Sequence, residues 1–77
     1  MKNYLQFKKK IIALKWGQDG SALVSCGEDG AIKIFSKTGN LRSNLVQLEK
    51  PIYSVVWSPD GDSVLFSSDK LIYIKPL

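Results

Sequence analysis

The chain divides into short runs of alternating apolar and polar residues, and this pattern predicts β-strands. Between residues 10 and 16, Ile12, Leu14 and Trp16 occupy every second position, which places them on one face of a strand. No window keeps the 3.6-residue apolar spacing of a helix over three turns, so the pattern predicts an all-β chain. The predicted strands span residues 10–16, 21–26, 31–36, 41–47, 52–57, 63–67 and 70–75.

Glycines that follow polar residues separate these strands. Asp-Gly pairs stand at 19–20, 29–30 and 60–61, and a Thr-Gly pair stands at 38–39. Glycine adopts positive φ without steric cost, and Pro59 presets φ at the first corner of its turn. Because such short turns join neighbouring antiparallel strands, the pattern predicts successive hairpins.

An internal repeat organises the strands into two units. Trp16 and Trp57 are 41 positions apart, and the strands that precede them align with the same shift. Residues 32–34 align with 72–74 after the loss of one residue in a turn, where deletions are tolerated. The first unit, 10–47, has four predicted strands, and the second, 52–75, has three.

Adjacent apolar residues within strands, such as Val55 with Val56, indicate that both faces of each sheet are covered. This is the condition of a propeller blade between its neighbours. The sequence therefore predicts about two antiparallel blades of an incomplete propeller, packed face to face. We expect four side chains in the blade cores, and a fifth as a small buried hydrophobe: Trp16, Tyr53, Trp57 and Phe66, with Cys26.

The repeat resembles the WD40 family. A period near 40, four strands per unit and the run from Gly27 to Phe35 all fit that pattern. The Trp-Asp pair that often ends the third strand is replaced by Phe35-Ser36 and by Lys75-Pro76, and the chain has no histidine. The His–Ser–Asp–Trp network of strong blades therefore cannot form. Ser25 and Asp29 alone match it, and Asp29 is better interpreted as a turn residue.

A narrower resemblance, over about residues 12–77, is to the WD40 propellers of intraflagellar transport proteins, subunits of the ciliary transport complex B. The run 36–39 followed by 41–43 is its most specific part, and 53–55 and 74–77 also match. It implies that the chain is a fragment of a scaffold for protein–protein interaction in cilium assembly, located in the cilium and cytoplasm with the cytoskeleton. The alternative is a WD40 adaptor unrelated to cilia and associated with RNA.

Positive charge is concentrated at the N-terminus. Residues 1–15 hold five of the eleven basic residues and none of the seven acids. We therefore separate a divergent basic segment, 1–9, from the two repeats in 10–77. Lys8–Lys10 near Tyr4, Phe7 and Trp16 has the cation–aromatic composition of a nucleic-acid site. We favour a solvated strand entrance instead, so nucleic acid is not an expected partner.

The residue types argue against catalysis. Without histidine, neither Ser25 nor Cys26 has an imidazole base, and the acids Asp60, Asp62 and Asp69 lack the spacing of a calcium loop. The sequence thus predicts a non-enzyme without catalytic, cofactor-binding or metal-binding residues, and without a cofactor or small-molecule substrate.

We expect protein partners instead, including complex B subunits and further copies of the chain that associate through open blade faces. Candidate contact loops are 17–20, 27–30, 37–40 and 58–62. No apolar run approaches the roughly 18 residues of a membrane span, and the single Cys26 favours a reducing compartment.

Overall fold

The computed structural model describes residues 6–77, and these form two antiparallel sheets without a helix. The first sheet has the order β1-β2-β3-β4, and the second has the order β5-β6-β7. The all-β prediction of two blades of an incomplete propeller is confirmed, as is the pairing of the fourth strand with the third. The strands are β1 (Ile11–Trp16), β2 (Ala22–Gly27), β3 (Ala31–Ser36), β4 (Leu41–Gln47), β5 (Ser54–Trp57), β6 (Ser63–Ser68) and β7 (Leu71–Pro76).

The turns between strands have the predicted glycine conformations, with positive φ at Gly20, Gly30, Gly39 and Gly61. Gly30 is the most constrained of these, because a Cβ there would collide with the carbonyl oxygen of Leu48. The Asp29 carboxylate accepts a hydrogen bond of 3.0 Å from the Ala31 backbone N–H, which confirms its predicted role in a turn.

The main core lies between the two sheets. We call the faces that meet there the inner faces and the opposite ones the outer faces. Cross-strand pairs such as Val24 with Ile34 and Val55 with Phe66 bring the inner-face residues together. Cys26 belongs to this core as predicted, and burial raises the pKa of its thiol. The buried members are Ala22, Val24, Cys26, Ile32, Ile34, Ile52, Val55, Val64 and Phe66.

The prediction that Trp16 is a core residue is wrong. Trp16 pairs with Leu23, and Leu23 pairs with Phe35, so all three lie on the outer face of the first sheet. The indole is 56% exposed there. Trp57 stands at the equivalent repeat position but packs against the core from the inner face of the second sheet. The repeat makes the two tryptophans equivalent, but in the described part of the chain only Trp57 has a neighbouring sheet on its side.

Tyr53 is also exposed, against the prediction, because β5 begins at Ser54 and not at residue 52. Ile52 takes the buried position in the preceding connection. Its backbone N–H donates a 3.0 Å hydrogen bond to the Gly27 carbonyl of the first sheet, and not to a strand of its own sheet. This contact between the sheets shortens the strand at its start.

Candidate interaction surfaces

The candidate contact loops lie at two opposite ends of the sheets. In an antiparallel sheet of sequential order, the first and third hairpin turns share one end and the second turn lies at the other. Residues 17–21 and 37–40 therefore lie at one end of the first sheet, while 28–30 lies at the other. The β5–β6 turn, 58–62, is at the same end as 17–21, because both line one cleft. The predicted loops thus form two separate surfaces.

The first of these surfaces contains a cleft of about 300 Å³ between the sheets. Asp19 and Asp60 line it from the two β-hairpins, and Arg42 lines it from β4. The Ser21 backbone N–H donates to Asp19 at 2.9 Å and lowers the pKa of that carboxyl. The Ser58 hydroxyl donates to Asp60 at 2.7 Å and lowers its pKa in the same way. Both carboxylates are therefore held in their charged form by local turn hydrogen bonds.

The indole of Trp57 lines this cleft and connects the two sheets. Its Nε1–H donates a 3.1 Å hydrogen bond to the backbone carbonyl of Lys15 in β1. A Cβ added at Gly17, which directly follows the same strand, would be in van der Waals contact with the same indole ring. Trp57 therefore fixes the position of the second sheet against the first strand of the first sheet.

At the opposite end, the chain crosses from the first sheet to the second. The Gln47 side-chain amide donates to the Asp29 carbonyl at 2.8 Å, and the buried Ser68 hydroxyl donates to the Pro51 carbonyl at 2.9 Å. Lys50 and Asp69 form an exposed ion pair at 3.1 Å, an arrangement that contributes little stability. This end is therefore held by backbone-directed hydrogen bonds and leaves its charged groups in solvent.

In the described part of the N-terminal segment, Phe7 covers part of the outer face of the first sheet. The ring of Phe7 packs edge-on against Phe35 at 5.9 Å between centroids, and the Lys33 ammonium lies 4.9 Å from the Phe7 centroid. Lys8 and Lys9 line a cavity of about 510 Å³ beside these rings. Of the cation–aromatic group suggested by the sequence, Phe7, Lys8 and Lys9 line this cavity, whereas Lys10 and Trp16 do not. Lys33 and Phe35, which were not part of that group, line it as well. Tyr4 lies outside the described residues.

Both outer faces expose large apolar side chains. On the second sheet, Val56, Ile72 and Ile74 are exposed, and on the first sheet Leu14 is exposed beside Trp16. Val55 and Val56 lie on opposite faces, Val55 in the core and Val56 exposed, so the described second sheet is covered on one face and not on both as the sequence indicated. The exposed isoleucines of β7 were not singled out, although the repeat aligns them with apolar residues of β3.

The groups considered for catalysis do not form a recognisable site. Ser25 and Cys26 are buried, and Asp60 and Asp69 lie in turns at opposite ends of the second sheet. Within residues 6–77, no three His, Cys, Asp or Glu side chains are grouped so that they could hold a metal ion. None of these described residues belongs to a helix long and apolar enough to cross a membrane.

Comparison with known proteins identifies the repeat. The WD40 family model, described as WD domain, G-beta repeat, matches residues 3–36 and 39–74. The chain is 52% identical over 67 residues to the Intraflagellar transport protein 80 homolog of Mus musculus, which covers 87% of this chain and 9% of that protein. A relative of the same name in Rattus norvegicus has the same identity and coverage. The resemblance predicted from the sequence is confirmed.

Other WD proteins are also similar to the chain. The F-box-like/WD repeat-containing protein TBL1Y of Homo sapiens is 37% identical over 57 residues, or 74% of this chain and 11% of that protein. The SIR4-interacting protein SIF2 of Saccharomyces cerevisiae is 34% identical over 56 residues, or 73% of this chain and 10% of that protein. The chain thus spans about a tenth of the length of each relative.

Proposed function

Since the chain belongs to the WD40 repeat family, we propose that it is a non-enzymatic scaffold for protein–protein interaction. WD40 domains mediate contacts between proteins, and the observation that carries the proposal here is the pair of open apolar faces. Exposed Ile72, Ile74, Leu14 and Trp16 supply contact area for partners, including further copies of the chain. The division into a basic segment, 1–9, and two repeats within 10–77 is part of this proposal.

The finer proposal is that the scaffold is part of an intraflagellar transport complex B subunit and acts in cilium assembly. Its partners are then other complex B subunits, and its location is the cilium and the cytoplasm with the cytoskeleton, a reducing compartment. The support is the 52% identity over 87% of the chain. The activity and partners of the whole relative are carried over as a proposal, because the match covers 9% of that protein.

A second candidate is a WD40 adaptor unrelated to cilia and associated with RNA. The similarity to TBL1Y and SIF2 supports an adaptor outside ciliary transport. The cluster of Phe7, Lys8, Lys9 and Lys33 beside Phe35 has the mixture of cations and aromatic rings that stacks on single-stranded nucleic acid. Nucleic acid remains the less favoured partner, because the rings of Phe7 and Phe35 pack against each other and not against bases.

Affinity purification of the tagged chain from ciliated cells distinguishes the two candidates. Recovery of complex B subunits, insensitive to ribonuclease, is expected for the ciliary scaffold. Recovery of ribonucleoproteins that is lost with ribonuclease would favour the adaptor. The matched control is Ile32→Asp, which places a charge in the core and removes the folded surface. Equal recovery of complex B by this control, or no recovery by the original chain, would contradict the ciliary proposal.

A further inference from the structure

Each outer face carries residues that the repeat aligns with residues of the buried interface between the two sheets. The shift of 41 residues maps Val24 of β2 onto Leu65 of β6, and the shift of 40 maps Ile32 and Ile34 of β3 onto Ile72 and Ile74 of β7. Ile32 and Ile34 are 0% and 5% exposed on an inner face, whereas Ile72 and Ile74 are 78% and 68% exposed on an outer face. The outer face of the second sheet is therefore a bare copy of the inner face of the first.

The other outer face repeats the inner face of the second sheet. Leu14, Trp16 and Leu23 occupy the repeat positions of Val55, Trp57 and Val64. Within the chain, the latter three pack on the inner face of the first sheet. The outer face of the first sheet is thus built to pack on a surface of the type that the second sheet exposes.

The indole hydrogen bond fixes the expected register of such a contact. Trp57 donates to the Lys15 carbonyl of the preceding blade at 3.1 Å. The repeat equivalents of this donor and acceptor are Trp16 and the carbonyl of Val56. Within residues 6–77, no blade lies on the Trp16 side of the first sheet, so this donor position of the repeat is open to a partner surface.

We propose that a second copy of this chain packs head-to-tail, with the outer face of its first sheet on the outer face of the second sheet of this one. The Trp16 indole of one copy then donates to the Val56 carbonyl of the other. The internal interface is the template for this contact, and it identifies each bare face as the complement of the other. The outer face of the second sheet carries no charged side chain that the contact would have to desolvate. Its residues are Ser54, Val56, Ser63, Leu65, Ser67, Ile72 and Ile74.

The N-terminal segment limits where this contact begins. Phe7 lies over Phe35 of β3, whereas Leu14 and Trp16 of β1 remain exposed. The second copy therefore packs first against β1 and competes with the segment at β3. Because the two contacting faces differ, the association is heterologous, and it extends into a ring or a short open chain of copies.

Sedimentation velocity of the full chain, from low micromolar to submillimolar concentration, tests the proposal. The original chain is expected to associate as its concentration rises. Ile72→Glu and Trp16→Ser each remove one face and are expected to remain monomeric. The matched control is Leu71→Glu, which adds the same charge at an exposed residue of the same strand but on the opposite face. It is expected to associate like the original chain.

Mixing the two disabled variants gives the decisive result. Each keeps one intact face, so an equimolar mixture is expected to form dimers and to stop there. Circular dichroism of each variant establishes that it retains its strands. In a Trp57→Phe background, emission from Trp16 is expected to shift to shorter wavelength as the chain associates. A monomeric original chain at all concentrations, association that survives both substitutions, or a mixture that stays monomeric would each overturn the proposal.

Discussion

The most direct test of the face assignment compares one substitution at two equivalent positions of the repeat. Ile32→Ala and Ile72→Ala remove the same three carbon groups from corresponding strands. Ile32 is fully buried between the sheets, whereas Ile72 is 78% exposed on the outer face. The two side chains have the same chemistry and similar strand positions, so a difference in their effects measures burial.

The magnitude follows from that burial. Removing three buried carbon groups at ~0.8 kcal/mol each costs about 2.4 kcal/mol in transfer free energy. The cavity left by Ile32→Ala brings the total loss to about 2–5 kcal/mol. The free energy of unfolding is about 4–12 kcal/mol for a chain of this size, at ~0.05–0.15 kcal/mol per residue. Ile32→Ala is therefore expected to remove a large share of the stability. Ile72→Ala is expected to change it by no more than about 0.5 kcal/mol.

Urea unfolding followed by circular dichroism at low micromolar concentration, where copies are separate, measures both values. For both variants, the slope of the unfolding free energy against urea concentration is expected to match that of the original chain. Their midpoint urea concentrations are expected to differ. Equal losses at the two positions would refute the assignment of inner and outer faces. If the stability lost in Ile72→Ala grows with protein concentration, the loss would instead report the contact between copies.

Further predictions concern the indole, one glycine, the thiol and the isolated chain. Trp57→Phe removes the hydrogen bond to Lys15 and is expected to cost about 0.5–1.5 kcal/mol in urea unfolding, whereas Trp16→Phe in the monomer costs nothing measurable. Gly30→Ala is expected to destabilise the chain by more than ~1 kcal/mol, and by more than Gly20→Ala, because only the former adds a collision with backbone to a positive φ. Cys26 is expected to react with iodoacetamide far more slowly in the folded chain than in urea. Because burial raises its pKa, stability is expected to fall as pH rises past the unfolded thiol's value of about 8.5. The isolated monomer is expected to be marginally stable, and a cooperative melt above about 50 °C from a clean monomer would contradict this, since a chain of this size has a small core.

The sequence by itself determined the features that depend on neighbouring residues. Alternating apolar positions set which side chains share a strand face, and glycines such as Gly20 and Gly61 set where the hairpins turn, because both effects are local and steric. The repeat of 41 residues then grouped the strands into two sheets of the WD40 type. The burial of Cys26 followed from its position on the apolar face of β2, which is covered in the structure.

Tertiary structure alone decided which faces are covered. Trp16 and Trp57 have equivalent sequence surroundings, yet one is exposed and the other packs on the core, because a sheet stands on one side only. The same holds for Ile72 and Ile32. Tyr53 was placed in the core because the strand was extended to residue 52, whereas a hydrogen bond from Ile52 to the first sheet ends the strand sooner. Alternation specifies which residues lie together on a face, but burial depends on a second surface brought there by contacts distant in sequence.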